Sequence, residues 1–354
     1  MNLLVIRFSS AGDILLTSLF LRSLRKRFPD ASIHFLTKQE FLPLVAHSPY
    51  LDRVITINSS DRRKELSQRK RTLIRELGGK YDVAYDLHNS LRSRWFRAGI
   101  AQRVEVVRKP SLRKRLLVWF KWNRLRPIVP IPELYLRVGS RDGLANDGQG
   151  LELFIGETSN PLPPLRGNPT VGFAPGARHQ TKRWPPEQWI ALGRLLREHH
   201  QARIVLLGAP EESNLCQLIA DGIRNGISNG ISNGIDGDSH AETGPLNLAG
   251  ETTWLQTAAA LDGCDLVVTN DSAIAHLAAA RKRTVVAIFG PTVQEFGFAP
   301  YGTRMAVAEV PGLPCRPCTT IGGNRCPKGH FRCMIGLQPH HVAEIIEKLK
   351  AMAG

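Results

Sequence analysis

Short apolar runs alternate with longer amphipathic stretches from the first residues onward. Residues 3–6, Leu-Leu-Val-Ile, read as a strand buried on both faces. A small-residue loop, Ser9-Ser10-Ala11-Gly12-Asp13, follows it. Residues 14–28 then read as one helix, with apolar residues at 15, 16, 19, 20 and 24 and a basic tail suited to a helix C-terminus. Further strands are predicted over 32–37, 54–57 and 83–87. A charged helix is predicted over 62–77, closed by Gly78-Gly79. This strand–helix alternation predicts a mostly parallel sheet covered by helices.

The pattern weakens between about 127 and 168, where Pro127, Pro130, Pro132, Pro161, Pro163, Pro164 and Pro169 fall, and it restarts afterwards. Strands are predicted over 170–174, 203–207, 266–269 and 284–289. Helices are predicted over 185–200, 211–224, 253–261, 272–280 and 340–352. The expected division is an N-terminal α/β domain over 1–165, a second over 166–338 and a closing helix over 339–354. Within the second, residues 225–244 form a Gly/Ser/Asn/Asp-rich insert that repeats Asn-Gly-Ile-Ser and reads as a low-complexity surface loop. Asp236-Gly237-Asp238 inside it reads as coincidence rather than a metal–nucleotide grip. Paired domains of this type bind ligands at the carboxyl ends of their strands.

The chain has 354 residues, enough for two cores that need no disulfide staples, and its six cysteines are too few for a disulfide scaffold. No window approaches the roughly 20 apolar residues of a membrane span, and the early charges follow the apolar run rather than precede it. The expectation is a cytoplasmic protein with reduced thiols. The formal charge of +16 favours an anionic partner: nucleic acid, a phosphorylated lipid or a nucleotide.

Candidate chemistry clusters after predicted strands. Asp13 opens a helix behind Gly12, where it serves either as a plain cap or as a reactive carboxylate; a full G-x-G-x-x-G is absent. The loop 175–185 contains Gly176, Thr181 and Lys182; the last two suit phosphate, although a basic surface turn would read the same way. Asp271, Ser272, Ala273 and His276 mark a strand end passing into a small-residue helix whose start favours pyrophosphate, with His276 equally readable as a core histidine. Gly290 and Thr292 repeat that arrangement one strand later. Glu212, or less well Glu211, sits where an acidic residue accepts ribose hydroxyls. Cys315, Cys318, Cys326 and Cys333, with His330 nearby, give a structural-zinc spacing whose alternative is a tight loop of thiols. Arg92, Arg94, Arg113, Lys114, Arg115 and Trp119 belong to a basic, aromatic stretch suited to an anionic membrane surface, with nucleic acid as rival and a solvated basic helix as the plain alternative.

In order and spacing these motifs resemble the ADP-heptose:lipopolysaccharide heptosyltransferase family (glycosyltransferase family nine), and the heptosyltransferase II branch most. The resemblance runs from Gly12-Asp13 through Pro175-Gly176-Ala177, Lys182, Trp184-Pro185, Leu248-Ala249-Gly250-Glu251-Thr252, Thr269-Asn270-Asp271-Ser272, His276 and Gly290-Pro291-Thr292 to the cysteine run ending Cys326-Pro327, Gly329-His330 and Cys333. It implies the GT-B fold: two Rossmann-like domains facing a cleft, acceptor on the first and nucleotide sugar on the second, with the C-terminal helix crossing back. It implies an inverting glycosyltransferase that moves heptose from ADP-heptose to the lipid A–Kdo inner core at the cytoplasmic face of the inner membrane. No cofactor is required and no nucleic acid is bound. The resemblance implies Asp13 as base, Lys182 on the ADP phosphates, Ser272 and the helix start on the pyrophosphate, Asp271 on the donor sugar and Glu212 on the ribose. A monomer is expected. Ala273 departs from the glycine the family often carries there. A GT-B transferase using another sugar or surface-glycan acceptor, and a non-catalytic nucleotide- or nucleic-acid-binding protein, are the alternatives.

Overall fold

The structure, a computed structural model, describes residues 1–162, 168–225 and 244–351. The insert at 225–244, Asp236-Gly237-Asp238 and the prolines at 163 and 164 therefore lie almost wholly outside the described residues. Contacts divide the chain into two compact units: Met1–Pro110 with Val129–Gly156, and Ser111–Ile128 with Glu157–Gly354. The segment 111–128, read in sequence as part of the N-terminal domain, is thus grouped with the second unit.

The first unit contains β1 (Asn2–Ile6), α1 (Ala11–Leu15), α2 (Ser18–Arg27), β2 (Ser32–Lys38), β3 (Arg53–Ile57), α3 (Arg63–Glu76), β4 (Tyr81–Asp86), α4 (Leu91–Arg97) and β5 (Ala101–Val106). After α5 (Ser111–Phe120), which belongs to the second unit, the chain returns to the first for α6 (Ile131–Leu136). All strands are parallel, in the order β3-β2-β1-β4-β5. Leu3 to Ile6 of β1 are fully buried, as a central strand covered on both faces must be.

Three features depart from the sequence pattern. The helix expected over 14–28 is two helices. Thr17 Oγ1 donates to the Ile14 carbonyl (2.6 Å) and Ser18 Oγ to that of Leu15 (2.9 Å), and side-chain bonds of this kind compete with the helical ladder. Strand β5 was not expected, because as an edge strand it carries Arg103 and Glu105. Helix α6 grows out of the proline-rich stretch read as a linker: Pro130 precedes it and Pro132 sits in its first turn, where a missing N–H costs little. It packs on α2. The rest of that stretch is fastened by Arg22, 2% exposed, which donates to both Asp147 oxygens (2.8 and 2.7 Å), to Glu152 (2.5 Å) and to the Gly150 carbonyl (2.9 Å).

The second unit contains β6 (Thr170–Ala174), α7 (Pro186–His200), β7 (Arg203–Leu206), α8 (Ser213–Asn225), β8 (Leu246–Asn247), α9 (Trp254–Asp262), β9 (Leu266–Asn270), α10 (Ala273–Ala280), β10 (Thr284–Ile288), β11 (Met305–Ala308), α11 (Arg332–Ile335) and α12 (Pro339–Ala351). Its six parallel strands run β11-β10-β9-β6-β7-β8. Trp184 and Trp189 meet edge to face at the centre of its core, with Phe173 against Trp189. Helix α12 packs on α7, β10 and β11 of this same unit. Among the described residues no helix is long and apolar enough to cross a membrane.

Both sheets have the doubly wound order, in which winding reverses beside the first strand. That switch falls between β1 and β4 in one unit and between β6 and β9 in the other. The loops leaving these four strands are where such a fold binds ligands.

Candidate active site

In the first unit the loop after β1 delivers Asp13. Ser10 caps α1, and its N–H and hydroxyl both donate to Asp13 Oδ2 (3.2 and 2.9 Å), so Asp13 does play the capping role. Its other oxygen does more. Arg7 Nη2 lies 2.7 Å from Oδ1, and Tyr135 Oη donates to the same oxygen at 3.4 Å. Arg7 is buried, donates through Nη1 to the Leu87 carbonyl (2.6 Å) and lies over the Tyr135 ring, 5.6 Å from its centroid. Burial disfavours the Arg7 charge, yet Tyr135, Asp13 and Asp86 outweigh it and raise its pKa. Beyond β4, burial and then the charges of Arg7 and Lys109 push the His88 imidazole down to about 4, so it is neutral at pH 7. Asp86, at the end of β4, is completely buried. It accepts from the His88 and Asn89 N–H groups, the Ser93 hydroxyl and Arg97.

In the second unit, loops leaving β6 and β9 bring Lys182 and Asp271 together: Lys182 Nζ is 2.6 Å from Asp271 Oδ2, and the buried Thr292 hydroxyl donates to that oxygen (2.7 Å). Asn270 stitches the two loops, accepting from the Trp184 N–H (3.2 Å) and donating to the Pro175 carbonyl (2.7 Å). Ser272 precedes α10, but its hydroxyl turns to Thr269 (3.2 Å) and makes no capping bond to the helix. Ala273 opens α10, half-buried. His276 is buried on α10 beside Phe298, in keeping with the core reading. Glu212 Oε2 accepts from the Ala209 N–H (3.0 Å), and its carboxyl lies against Gly176 so closely that a Cβ at 176 would overlap it.

Several of the predicted residues have structural partners of their own. Thr181 is buried, and its hydroxyl donates to the Gly323 carbonyl (3.0 Å) and accepts from the Gly323 N–H (2.9 Å). Gly290 packs against Met334, which a Cβ there would strike, and its carbonyl accepts from Arg316 (2.6 Å). Lys114 turns inward, donating to the Phe296 carbonyl (2.9 Å) and resting on the Phe296 and Phe298 rings. Arg92 is committed to the Asn58 and Asp61 carbonyls (2.8 and 3.0 Å). Arg94, with Arg97, Arg108 and Arg141, lines a cavity of about 430 Å³ beside β5. Arg113, Arg115 and Trp119 stand exposed on α5, so the basic stretch is shared between the two units.

Cys315, Cys318, Cys326 and Cys333 are all free thiols. Burial pushes the Cys333 thiol up to about 11 and raises Cys318 as well. Among the described residues no group of three or more His, Cys, Asp or Glu side chains is arranged to hold a metal ion.

Sequence reading missed Arg7, Tyr135, Asp86 and Asn270 as members of the sites. Asn270 lay inside a recognised motif. Arg7 had one signal, a charge directly after a wholly apolar strand.

Residues 70–325 match glycosyltransferase family 9 (heptosyltransferase). The chain is 28% identical over 312 residues to lipopolysaccharide heptosyltransferase 2 of Escherichia coli (strain K12), covering 84% of each chain. It superposes on the solved ADP-heptose lps heptosyltransferase II of E. coli with a TM-score of 0.67 at 22% identity, covering 100% of this chain and 99% of that one. It superposes equally well, at 19% identity and with 99% and 100% covered, on an E. coli heptosyltransferase solved with ADP.

Proposed function

Because the chain belongs to glycosyltransferase family 9, the heptosyltransferases, we propose that its two units divide an inverting heptosyl transfer between them, donor chemistry on the second and acceptor chemistry on the first. The enzyme moves heptose from ADP-heptose to the inner core of lipopolysaccharide. The acceptor hydroxyl oxygen attacks the anomeric carbon while the bond from that carbon to the ADP oxygen breaks. The bonding pair leaves on ADP, and the hydroxyl proton passes to the Asp13 carboxylate. Lys182 and the start of α10 stabilise the diphosphate, Asp271 meets sugar hydroxyls and Glu212 the ribose. Fixed N–H groups and Lys182 suffice for the leaving-group charge, so no step here runs through a metal. One chain carries both sets of residues, so no oligomer is needed.

The observation that carries this reading is the Lys182–Asp271–Thr292 cluster. It joins a candidate phosphate cation to a candidate sugar acceptor at the switch point of the second sheet. Asp271 is the counter-ion that holds Lys182 in place for the diphosphate.

The test follows ADP release from ADP-heptose with a lipid A–Kdo acceptor. Asp13→Ala is expected to lower turnover by about 10²-fold or more while ADP still raises the melting temperature. Lys182→Ala is expected to weaken ADP binding as well. A Lys182→Ala protein that binds ADP as tightly as the parent removes that assignment, and stabilisation by UDP or GDP in place of ADP moves the donor to another sugar.

A further inference from the structure

The two oxygens of Asp13 live in different surroundings. Oδ1 points into the fold, held by the buried Arg7 guanidinium at 2.7 Å and by the buried Tyr135 hydroxyl at 3.4 Å. Oδ2 faces Ser10, an exposed residue whose hydroxyl is easily exchanged for another. Arg7 is itself fixed, by the Leu87 carbonyl on one side and the Tyr135 ring beneath it. The arrangement therefore costs Asp13 no freedom at the moment of reaction.

We propose that Arg7 and Tyr135 are positioning residues for the base: they anchor Oδ1 and leave Oδ2 as the oxygen that receives the acceptor's proton. This rests on the reading of Asp13 as base given above. In the step, the acceptor hydroxyl takes the place of the Ser10 hydroxyl on Oδ2. Its oxygen bonds to the anomeric carbon as the bond to ADP breaks, and its proton moves to Oδ2.

A cation at 2.7 Å favours the ionised form of its carboxylate. Among the other groups facing Asp13, His88 is neutral, Asp86 is paired with Arg97, and the Lys109 ammonium, which donates to the His88 carbonyl (2.5 Å), adds a second attraction. Arg7 therefore favours the ionised form of the base and fixes which oxygen reacts. Tyr135 stays protonated, since burial raises its pKa, and so it keeps the proton it donates to Asp13.

The experiment measures kcat and the KM for ADP-heptose from about pH 5 to pH 9 for the parent, Arg7→Met, Arg7→Lys, Tyr135→Phe and Asp13→Asn. Arg7→Met is expected to lose about 10²-fold in kcat with the donor KM little changed, and its acid limb should move up by about one pH unit or more. Arg7→Lys should recover at least about tenfold of that loss and return the limb toward the parent, because the charge is restored without the fork. Tyr135→Phe should lower kcat by a few-fold only and leave the limb in place. If Arg7→Met does not fold, as judged by loss of the ADP-dependent melting shift, Arg7→Gln takes its place as the variant without the charge. An unmoved limb with kcat within about threefold of the parent in the charge-removing variant overturns the proposal. A loss confined to the donor KM does so too. Asp13→Asn turning over at the parent rate instead overturns the underlying base assignment, which keeps the two failures distinct.

Discussion

Gly176 and Glu212 show how one residue's missing atom serves another's chemistry. The Glu212 carboxyl occupies the space a Cβ at 176 would fill, and it is held there by the Ala209 N–H. The room this glycine leaves is taken by the side chain proposed to hold the ribose. In Gly176→Ala the flexible Glu212 is expected to swing away at little cost to the fold. Its bond to ribose would be lost, so ADP should bind about tenfold more weakly with the melting temperature nearly unchanged. Titration calorimetry beside a melting curve checks this, and an undiminished ADP affinity would show that Glu212 does not touch the nucleotide. Asp13 and Lys182 were legible in sequence because each follows a buried strand by way of a glycine-containing turn. Arg7 and Tyr135 were not, since their meeting depends on α6, an element hidden among prolines.

At the scale of elements, the sequence pattern held where both sheet faces are covered and failed at edges and joints. β1 and β9 are uniform apolar runs, whereas β5 lies at the sheet edge and mixes charge with valine. The joint at 145–152 depends on a charge buried inside α2 among mostly apolar neighbours. Arg22 of α2 holds that segment, and its bonds keep the Asp147 carboxyl well below the usual carboxylate range. A carboxylate whose pKa is lowered on folding adds stability above its unfolded value of about 3.9, and that stability is lost as the pH falls through and below it. Arg22→Met should therefore cost about 3 kcal/mol at neutral pH, since it leaves Glu152 without its cation and Asp147 with Lys26 alone. The variant's melting temperature should also fall less steeply than the parent's from about pH 5 to pH 2. Parallel acid-melting profiles would show the Arg22–Asp147 pair to be of little weight.

For the whole molecule, the charge of +16 calls for an anionic partner, and α5 is the element we propose for that contact. Its inward face carries Lys114, Leu117 and Val118, followed by Lys121, whose ammonium donates to the Cys315 and Pro317 carbonyls (3.1 and 2.7 Å). Its outward face presents Leu112, Arg113, Arg115, Trp119 (66% exposed) and Phe120, with Trp122 just beyond stacked near Phe120. Exposed aromatics next to arginines suit the headgroup layer of an anionic bilayer, where the acceptor's lipid is anchored. Duplex DNA would use the arginines alone. The two partners separate by salt. Binding to DNA falls steeply as salt rises, while insertion of Trp119, Phe120 and Trp122 into a bilayer is largely insensitive to it. Vesicles of phosphatidylethanolamine and phosphatidylglycerol are therefore expected to retain the protein at about 0.3 M salt, beyond the range of surface attraction. Replacing Trp119, Phe120 and Trp122 by serine should release most of it, with turnover on a deacylated, water-soluble acceptor unchanged. Sedimentation with the vesicles decides the matter. Complete release of the parent by salt, together with tight DNA binding at low salt, would assign the charge to nucleic acid instead.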